Sequence, residues 1–231
     1  MNWSNLWKPR APPPEREPPS ALEVVRAYHR ASKHQPQRYA DGPGWLDWAN
    51  QPAPFRSWTG APRVALSEPP VADEADYDAV LRGLPRPARP PGPALLSELL
   101  YDALSISAWK QAQDTRWALR VNPSSGNLHP TELYLALGTE WGLHEQPALW
   151  HYAPREHALE RLATCDAAAW ARACAACAPG TAVLLPASIA WREAWKYGLR
   201  AWRYCQHDLG HALAGLGLSA AARGWRIAEA H

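Results

Sequence analysis

The stretch "RVNPSSGNLHPTELYLAL", Arg120–Leu137, places a tight polar turn directly before an apolar segment typical of a strand. Two prolines, a serine pair and a glycine form the turn, and these are the residue types that turns favour. The serine hydroxyls, the backbone N–H groups and the Asn127 amide supply hydrogen-bond donors and acceptors. Such a turn can bind the edge of a planar ring or an anion. It can equally be an ordinary helix-capping loop, so both interpretations stay open at this point.

The segments after this turn predict an antiparallel sheet. "ELYLAL" and "ALWHYAP" are short, rich in aromatic and aliphatic residues, and separated by "GTEWGLHEQP", which predicts two strands of one hairpin. "TAVLLPAS" predicts a further buried strand, and Pro186 within it indicates an edge position because proline donates no ladder hydrogen bond.

Helical periodicity predicts the elements that surround the sheet. "ALLSELLYDALSISAWKQ" carries apolar residues at i, i+3 and i+4, which predicts a helix of about four turns. "HALERLA" is interpreted as a short helix, and 189–223 as a long one. Gly210, Gly215 and Gly217 interrupt the long helix and indicate close approach by another backbone. The predicted fold class is α+β, a small antiparallel sheet flanked by helices.

Two proline-rich stretches suggest the domain organisation. Residues 1–20 are predicted to be a disordered proline-rich tail, and residues 21–84 a segment that is partly helical and partly irregular, with "ALEVVRAYHRASKH" as its helix. "PRPARPPGP", residues 85–93, is interpreted as a stiff linker. Residues 94–231 then form the main folded domain.

Composition excludes several classes of protein. With 231 residues, 47% of them hydrophobic, the chain can bury a globular core. The 24 basic and 22 acidic side chains leave a net charge of +2, too small to favour nucleic acid or an anionic membrane. No apolar run reaches the roughly 18 residues of a membrane span, and the start does not resemble a signal peptide. A cytoplasmic protein is expected.

Two patterns invite a metal assignment, and neither is complete. Cys174 and Cys177 form a C-A-A-C pair in an alanine-rich run, where cysteine can act as a small buried hydrophobe, and Cys205 is distant in sequence. His207 and His211 have the i, i+4 spacing of zinc helices but lack the catalytic glutamate between them. We therefore predict no metal site.

Resemblance to a known family adds to this interpretation. "RVNPSSGNLHPTELYLAL" resembles the flavin loop of the nitroreductase superfamily, and is more similar still to its SagB-type branch, the dehydrogenases that oxidise azoline rings in peptide natural products. "HYAPREHALERL" and "WKYGLRAWRYCQHDLGHALAGLGLSAAARGW" resemble two further segments of that family. The resemblance implies a nitroreductase-like fold, bound FMN, and a homodimer in which both subunits line each flavin.

The resemblance also implies which residues contact the flavin. Arg120, Ser124, Ser125 and Asn127 are expected to bind FMN, and His129 stands where many relatives have glutamine. The basic-serine-basic cluster that holds the flavin phosphate in the family has no serine in "LRGLPRPARPPGP" here. The similarity covers about Ala21 to the end, so the fold is expected to lack the C-terminal part of the usual one.

Position 196 carries a lysine, although this chain uses arginine for most of its basic residues: it has four lysines and twenty arginines (24 basic residues less four). Unlike arginine, lysine can lose its proton when desolvated, as a base must. By resemblance, Lys196 is the general base and Tyr197 its partner, with Arg200 a weaker candidate for stabilising negative charge. The alternative is a solvated basic face formed with Arg203 and His207.

These observations lead to one main functional hypothesis and two rivals. The main hypothesis is an FMN-dependent oxidoreductase that transfers a hydride from a small heterocycle or a peptide azoline to flavin. One rival is an NAD(P)H-dependent reductase of nitro or quinone compounds. The other is a flavin-free scaffold or peptide-binding module that has kept the fold and lost the site.

Overall fold

The computed structural model describes residues 18–69 and 75–229. Most of the predicted disordered tail, residues 1–17, therefore lies outside the described residues. The chain divides into two compact units, the first ending at Ala40 and the second beginning at Asp41.

The first unit contains one helix, α1 (Ala21–Ser32), among its described residues. Ser20 caps the helix: its hydroxyl accepts a hydrogen bond from the Glu23 N–H, and the Glu23 carboxylate accepts one from the Ser20 N–H. This reciprocal arrangement satisfies two N–H groups that the first turn would otherwise leave unpaired. The helix predicted for "ALEVVRAYHRASKH" is confirmed.

The second unit is a mixture of strands and helices, as the α+β prediction requires. Its described elements, in chain order, are β1 (Arg63–Ala65), α2 (Tyr77–Leu81), α3 (Pro93–Leu104), β2 (Ile106–Ala112), β3 (Thr115–Arg120), β4 (Thr131–Leu137), β5 (Ala148–Ala153), β6 (Ala158–Thr164), α4 (Ala167–Ala173), β7 (Val183–Ser188), α5 (Ala190–Tyr197) and α6 (Ala201–Ala222).

Five of these strands form one antiparallel sheet in the order β1-β6-β5-β4-β7. The predicted hairpin is confirmed as β4–β5, in which Leu137 lies opposite Ala148. The strand predicted for "TAVLLPAS" is confirmed as β7, and it lies at the edge of the sheet, as Pro186 indicated. The prediction that this strand is buried was wrong: Val183 and Leu184 are half-buried and the residues from Leu185 to Ser188 are exposed, because an edge strand is covered on fewer sides.

β2 and β3 form a separate hairpin. The helix predicted for "ALLSELLYDALSISAWKQ" is confirmed as far as Leu104, but its end, "ISAWKQ", is part of strand β2, because pairing with β3 overrides the local helical pattern.

The prediction of a helix at "HALERLA" was wrong, because this segment is strand β6. It pairs with β5 on one side and β1 on the other, so Ala158, Leu159 and Glu160 are all buried. Alanine and leucine are strong helix formers, but intrinsic preferences amount to less than about 1 kcal/mol per residue, so pairing between two strands overrides them.

The core lies between the sheet and the helices α3 and α6. Leucines of α3 and β4 pack there together with two fully buried tryptophans, Trp141 and Trp150. Gly215 allows α6 to approach α3: a methyl group there would lie 3.4 Å from the Ala103 carbonyl oxygen. The predicted close approach is therefore confirmed at Gly215. At Gly210 and Gly217 such a methyl group would meet no described residue within 4 Å, so approach by another subunit at these two positions stays a prediction.

The long helix predicted for 189–223 is interrupted, and the interruption shapes the site. Gly198 has φ 52° and ψ −122°, a conformation that ends α5. A single 3₁₀ turn, Gly198–Arg200, then leads into α6. Lys196 and Tyr197 therefore lie in the last turn of α5, beside the beginning of α6.

Candidate active site

The polar turn between β3 and β4 is a short 3₁₀ turn, Ser125–Asn127. Gly126 and Asn127 both have positive φ, 62° and 60°. Glycine adopts this left-handed conformation without strain, and asparagine tolerates it better than most residues. The residue types that marked the turn in the sequence are therefore the ones that its backbone requires.

Asp208 of α6 holds this turn in place. Its carboxylate accepts hydrogen bonds from the Ser124 hydroxyl at 2.7 Å, from the Ser125 N–H at 3.1 Å and from the Ser125 hydroxyl at 3.3 Å. Ser124 Oγ also accepts a hydrogen bond from the His129 N–H. Asp208 is completely buried, so the two serines join the turn to the interior of the protein.

Asn127 is fixed by two hydrogen bonds at its other side. Its Nδ2 donates to the Ala118 carbonyl at 2.9 Å, and its Oδ1 accepts from His129 Nε2 at 2.8 Å. Burial and the charges of Arg120 and Arg192 lower the pKa of His129 to about 3, so the ring is neutral. His129 thus orients the asparagine side chain.

A chain of hydrogen-bonded side chains, from Arg63 to Arg192, anchors the backbone of His129. His151 contacts Glu160 through Nδ1 at 2.9 Å and Glu132 through Nε2 at 2.8 Å. Arg63 pairs with the outer carboxylate, Glu160, and Arg192 pairs with the inner one, Glu132, at 2.5 Å. Arg192 also donates to the His129 carbonyl at 2.6 Å. This chain crosses the sheet and ends at the segment that carries the turn.

Gly126 meets the Lys196–Tyr197 pair directly. A methyl group at Gly126 would lie 2.6 Å from Tyr197 Oη and 3.0 Å from Lys196 Nζ. These distances are shorter than van der Waals contact, so a side chain at position 126 would displace one of the groups. The fold thus brings together two motifs that are seventy residues apart in the sequence.

An aromatic and cationic cluster surrounds Tyr197. Its ring packs edge-on against Tyr204 at 4.5 Å, and the Arg200 guanidinium lies 5.3 Å from its centre. Lys196 Nζ lies 5.7 Å from the same centre. Burial raises the pKa of Tyr197, and the charge of Glu193 raises it further. Tyr197 therefore stays a phenol at neutral pH and can both donate and accept a hydrogen bond.

A cleft opens beside this cluster. Its volume is about 580 Å³, and Lys196, Tyr197 and Arg200 line it opposite the segment 41–46, "DGPGWL". This volume is within the usual range for small-molecule sites. A second cavity, of about 340 Å³, lies elsewhere, against Trp170 and the cysteine pair of α4 and its following turn.

Arg120 lies in a different environment from the turn residues. Its side chain is buried, Nη2 donates to the Pro54 carbonyl at 2.6 Å, and the guanidinium lies 5.2 Å from the Phe55 ring. Burial lowers its pKa to about 10. Its Nε has no hydrogen-bond partner among the described residues, so one buried donor is left to bind another group.

The sequence interpretation missed two acids that lie at the centre of the site, Glu193 and Asp208. Asp208 had a usable signal, since it falls on the buried stripe of α6 formed by Cys205, Ala212 and Leu216. A charged residue in such a stripe indicates a buried polar contact. Glu193 had no comparable signal, because its burial depends on how α5 packs against α6.

Within the described ranges, 18–69 and 75–229, no group of three or more histidine, cysteine or acidic side chains is arranged to hold a metal ion. The four cysteines are free thiols. None of the described helices combines the length and the apolarity needed to cross a membrane.

Comparison with solved structures identifies the fold. A proposed nitroreductase of Anabaena variabilis ATCC 29413 shares 27% sequence identity at a TM-score of 0.66, over 85% of this chain and 38% of its own. A proposed nitroreductase of Ralstonia eutropha JMP134 shares 18% identity at a TM-score of 0.51, over 74% of this chain and 76% of its own. The chain has a nitroreductase-like fold. It spans 38% of the length of the Anabaena protein.

A third similar structure is an Escherichia coli microcin synthetase complex, with 19% identity over 89% of this chain and 70% of the other. Its TM-score of 0.45 is too low to support an argument. No protein-family model matches the sequence, and no curated protein matches it either. The structural comparison therefore supports a nitroreductase-like fold and leaves the branch open.

Proposed function

We propose that this chain is the flavin-binding part of an FMN-dependent oxidoreductase of the SagB-type dehydrogenase branch, which oxidises an azoline ring in a peptide. The observation that carries the proposal is the contact of Gly126 with Tyr197 and Lys196. It joins the turn that resembles a flavin loop to the pair that resembles the proton-transfer residues. The nitroreductase-like fold supports the same assignment.

The residues of the turn fit the edge of a flavin ring. Asp208 fixes Ser124 and Ser125, while Gly126 at the tip is exposed and Asn127 is half-buried. A preformed turn binds a ring with little loss of conformational entropy. The serines and Asn127 would hold the edge of the FMN ring. Arg120 is proposed as a flavin contact from the resemblance alone, since its side chain is buried against Pro54 and Phe55. When bound, flavin supplies the site that accepts a hydride.

Lys196 is the group that would take the substrate proton. Among the described residues, no carboxylate lies within salt-bridge distance of its ammonium nitrogen. Tyr197 lies beside it as a phenol and can pass a proton on. The Arg200 guanidinium faces the same cleft and would stabilise developing negative charge.

A second candidate is an NAD(P)H-dependent reductase of nitro or quinone compounds. The two solved structures with TM-scores above 0.5 are both described as nitroreductases. In that case Lys196 and Tyr197 would deliver a proton to the substrate rather than remove one. The third candidate is a flavin-free scaffold. For the first two candidates, we expect a homodimer in which the second subunit completes the flavin site.

An FMN titration separates these candidates. The purified chain is mixed with FMN, and binding is measured from the change in flavin absorbance and the quenching of flavin fluorescence. Saturable binding supports an enzyme, and a colourless protein that does not bind added FMN contradicts the proposal. For a protein that binds, bleaching of the flavin by a thiazoline peptide supports the dehydrogenase. Bleaching by NAD(P)H alone would favour the reductase instead.

A further inference from the structure

Glu193 is a completely buried carboxyl that the proposed reaction does not yet use. Its exposed fraction is 0%, and both of its oxygens lack a hydrogen-bond partner among the described residues. A carboxylate without hydrogen bonds is very costly to bury, whereas a neutral carboxylic acid is less so. The packing therefore favours the protonated form of Glu193.

The surroundings of Glu193 place this proton at the centre of the site. Glu193 shares one face of α5 with Lys196 and Tyr197, which follow it by three and four residues. The charge of Asp208, on α6, acts on Glu193, and both acids act on Cys205. Asp208 accepts three hydrogen bonds from the turn, whereas Glu193 accepts none from the described residues. Two ionised carboxylates repel each other at close range, so the proton stays on Glu193, the one without donors.

We propose that Glu193 holds a proton at neutral pH and controls when Lys196 can become a free amine, which makes it a positioning residue for the reaction proposed above. While Glu193 is neutral, it provides no counter-ion for the Lys196 ammonium. Once Glu193 ionises, its carboxylate stabilises that ammonium and so opposes proton release from Lys196. The inference rests on the proposed function only for its catalytic consequence.

The pKa of Glu193 agrees with this geometry. Burial raises it to about 8, the charge of Asp208 raises it, and the charge of Lys196 acts in the opposite direction. A carboxyl with this pKa changes its charge within the pH range in which an enzyme works, unlike an exposed glutamate.

The first test measures the protonation of Lys196 without any turnover. The full chain, with and without FMN, is labelled by an amine-reactive reagent at a series of pH values, and the extent of labelling at Lys196 is measured by peptide mass spectrometry. Glu193→Gln keeps the side chain neutral at every pH, so the pH of half-maximal labelling should fall by about one unit or more. An unchanged labelling profile would overturn the proposal. Glu156→Gln, at an exposed position, is the matched control and should leave the profile unchanged.

The second test follows stability against pH. A folded-state pKa raised above the unfolded value stabilises the fold fully below about pH 4.5, and this stability is lost as the pH rises through about 8. Between about pH 4.5 and about pH 8, the melting temperature of the wild type should therefore fall relative to that of Glu193→Gln. Above about pH 8 the difference between the two proteins should stay constant. If the melting temperatures of the wild type and of Glu193→Gln change with pH in the same way, the proposal is wrong.

A third measurement tests the protonation of Glu193 in the wild type, so it can be made even if Glu193→Gln does not fold. The infrared spectrum of the wild type should contain the carbonyl stretch of a protonated carboxylic acid at pH 7, and this band should disappear as the pH rises past about 8. Absence of the band at pH 7 contradicts the proposal. These three tests require no flavin chemistry, so failure of the FMN titration would not affect the assignment of Glu193. Identical pH dependence of labelling and of stability in the wild type and Glu193→Gln would contradict that assignment, whether or not the protein binds FMN.

Discussion

Gly126 and Tyr197 are so close that a methyl group on the glycine would lie 2.6 Å from the tyrosine hydroxyl oxygen. The contact joins a turn between two strands to the last turn of a helix. It leaves no room for a side chain at position 126, and it fixes the distance between the turn and the proton-handling pair. Four predictions follow from this contact and from the residues that support it.

Gly126→Ala should weaken FMN binding at least tenfold, because the new methyl group would displace Tyr197 and Lys196 from the turn. The positive φ of Gly126 adds a backbone cost of about 1–2 kcal/mol. Gly60→Ala is the matched control, since Gly60 also has positive φ but nothing within 4 Å of the added methyl group. Flavin fluorescence and thermal unfolding measure both effects. Equal losses of FMN affinity in the two variants would show that the contact with Tyr197 does not matter.

Asp208→Asn should destabilise the fold by about 1–3 kcal/mol, because an amide cannot accept all three hydrogen bonds that the turn donates. Urea denaturation measures the free energy of unfolding. Asp78→Asn, which removes an exposed ion pair with Arg82, should cost less than about 1 kcal/mol. If the two substitutions cost the same, Asp208 does not anchor the turn.

Lys196→Ala should lower turnover by about two to four powers of ten, the usual contribution of a general base, and should leave the Kd for FMN nearly unchanged. Single-turnover reduction of bound flavin by an azoline peptide measures the chemical step. Lys110→Ala, on the exposed strand β2, serves as the control and should react at the wild-type rate. Normal flavin reduction by the Lys196→Ala protein would rule out this lysine as the base.

Acid should destabilise the protein through the buried pair Glu132 and Glu160. Burial by itself would raise the pKa of each carboxyl, but the hydrogen bond from His151 and the charge or hydrogen bond of an arginine hold both pKa values below the usual value. Stability from these groups is therefore present above about pH 4.5 and is lost as the pH falls further.

Glu132→Gln tests this assignment, because it breaks the pairs with His151 and Arg192 at once. It should cost about 3–5 kcal/mol at pH 7, and it should reduce the remaining loss of stability in acid. Glu145→Gln, at an exposed position, should behave as the wild type. The measurement is chemical denaturation at pH 7 and at pH 4. An unchanged acid sensitivity in the Glu132→Gln protein would show that other carboxylates control it.

Much of the fold was accessible from local patterns. The leucine stripe predicted α3, the aromatic and aliphatic runs predicted β4, β5 and β7, and Pro186 indicated a sheet edge. These predictions succeed because periodicity reflects which face of an element is buried. β6 was misjudged as a helix because "HALERLA" has no alternation: it is buried between two strands, and its partners are distant in the sequence.

For the candidate site, the residue types of the turn and the unusual lysine could be recognised from the sequence, because backbone conformation and side-chain chemistry are local properties. The contacts between these groups are not a local property, because they join residues that are distant in the sequence. Only the tertiary structure placed Gly126 against Tyr197 and brought Asp208 into hydrogen-bond contact with the turn. It also buried Glu193 where its oxygens find no hydrogen-bond donor among the described residues. Charge states and contact distances depend on desolvation and on packing between distant segments, so the sequence determined the chemical groups, while the fold decided how they act on each other.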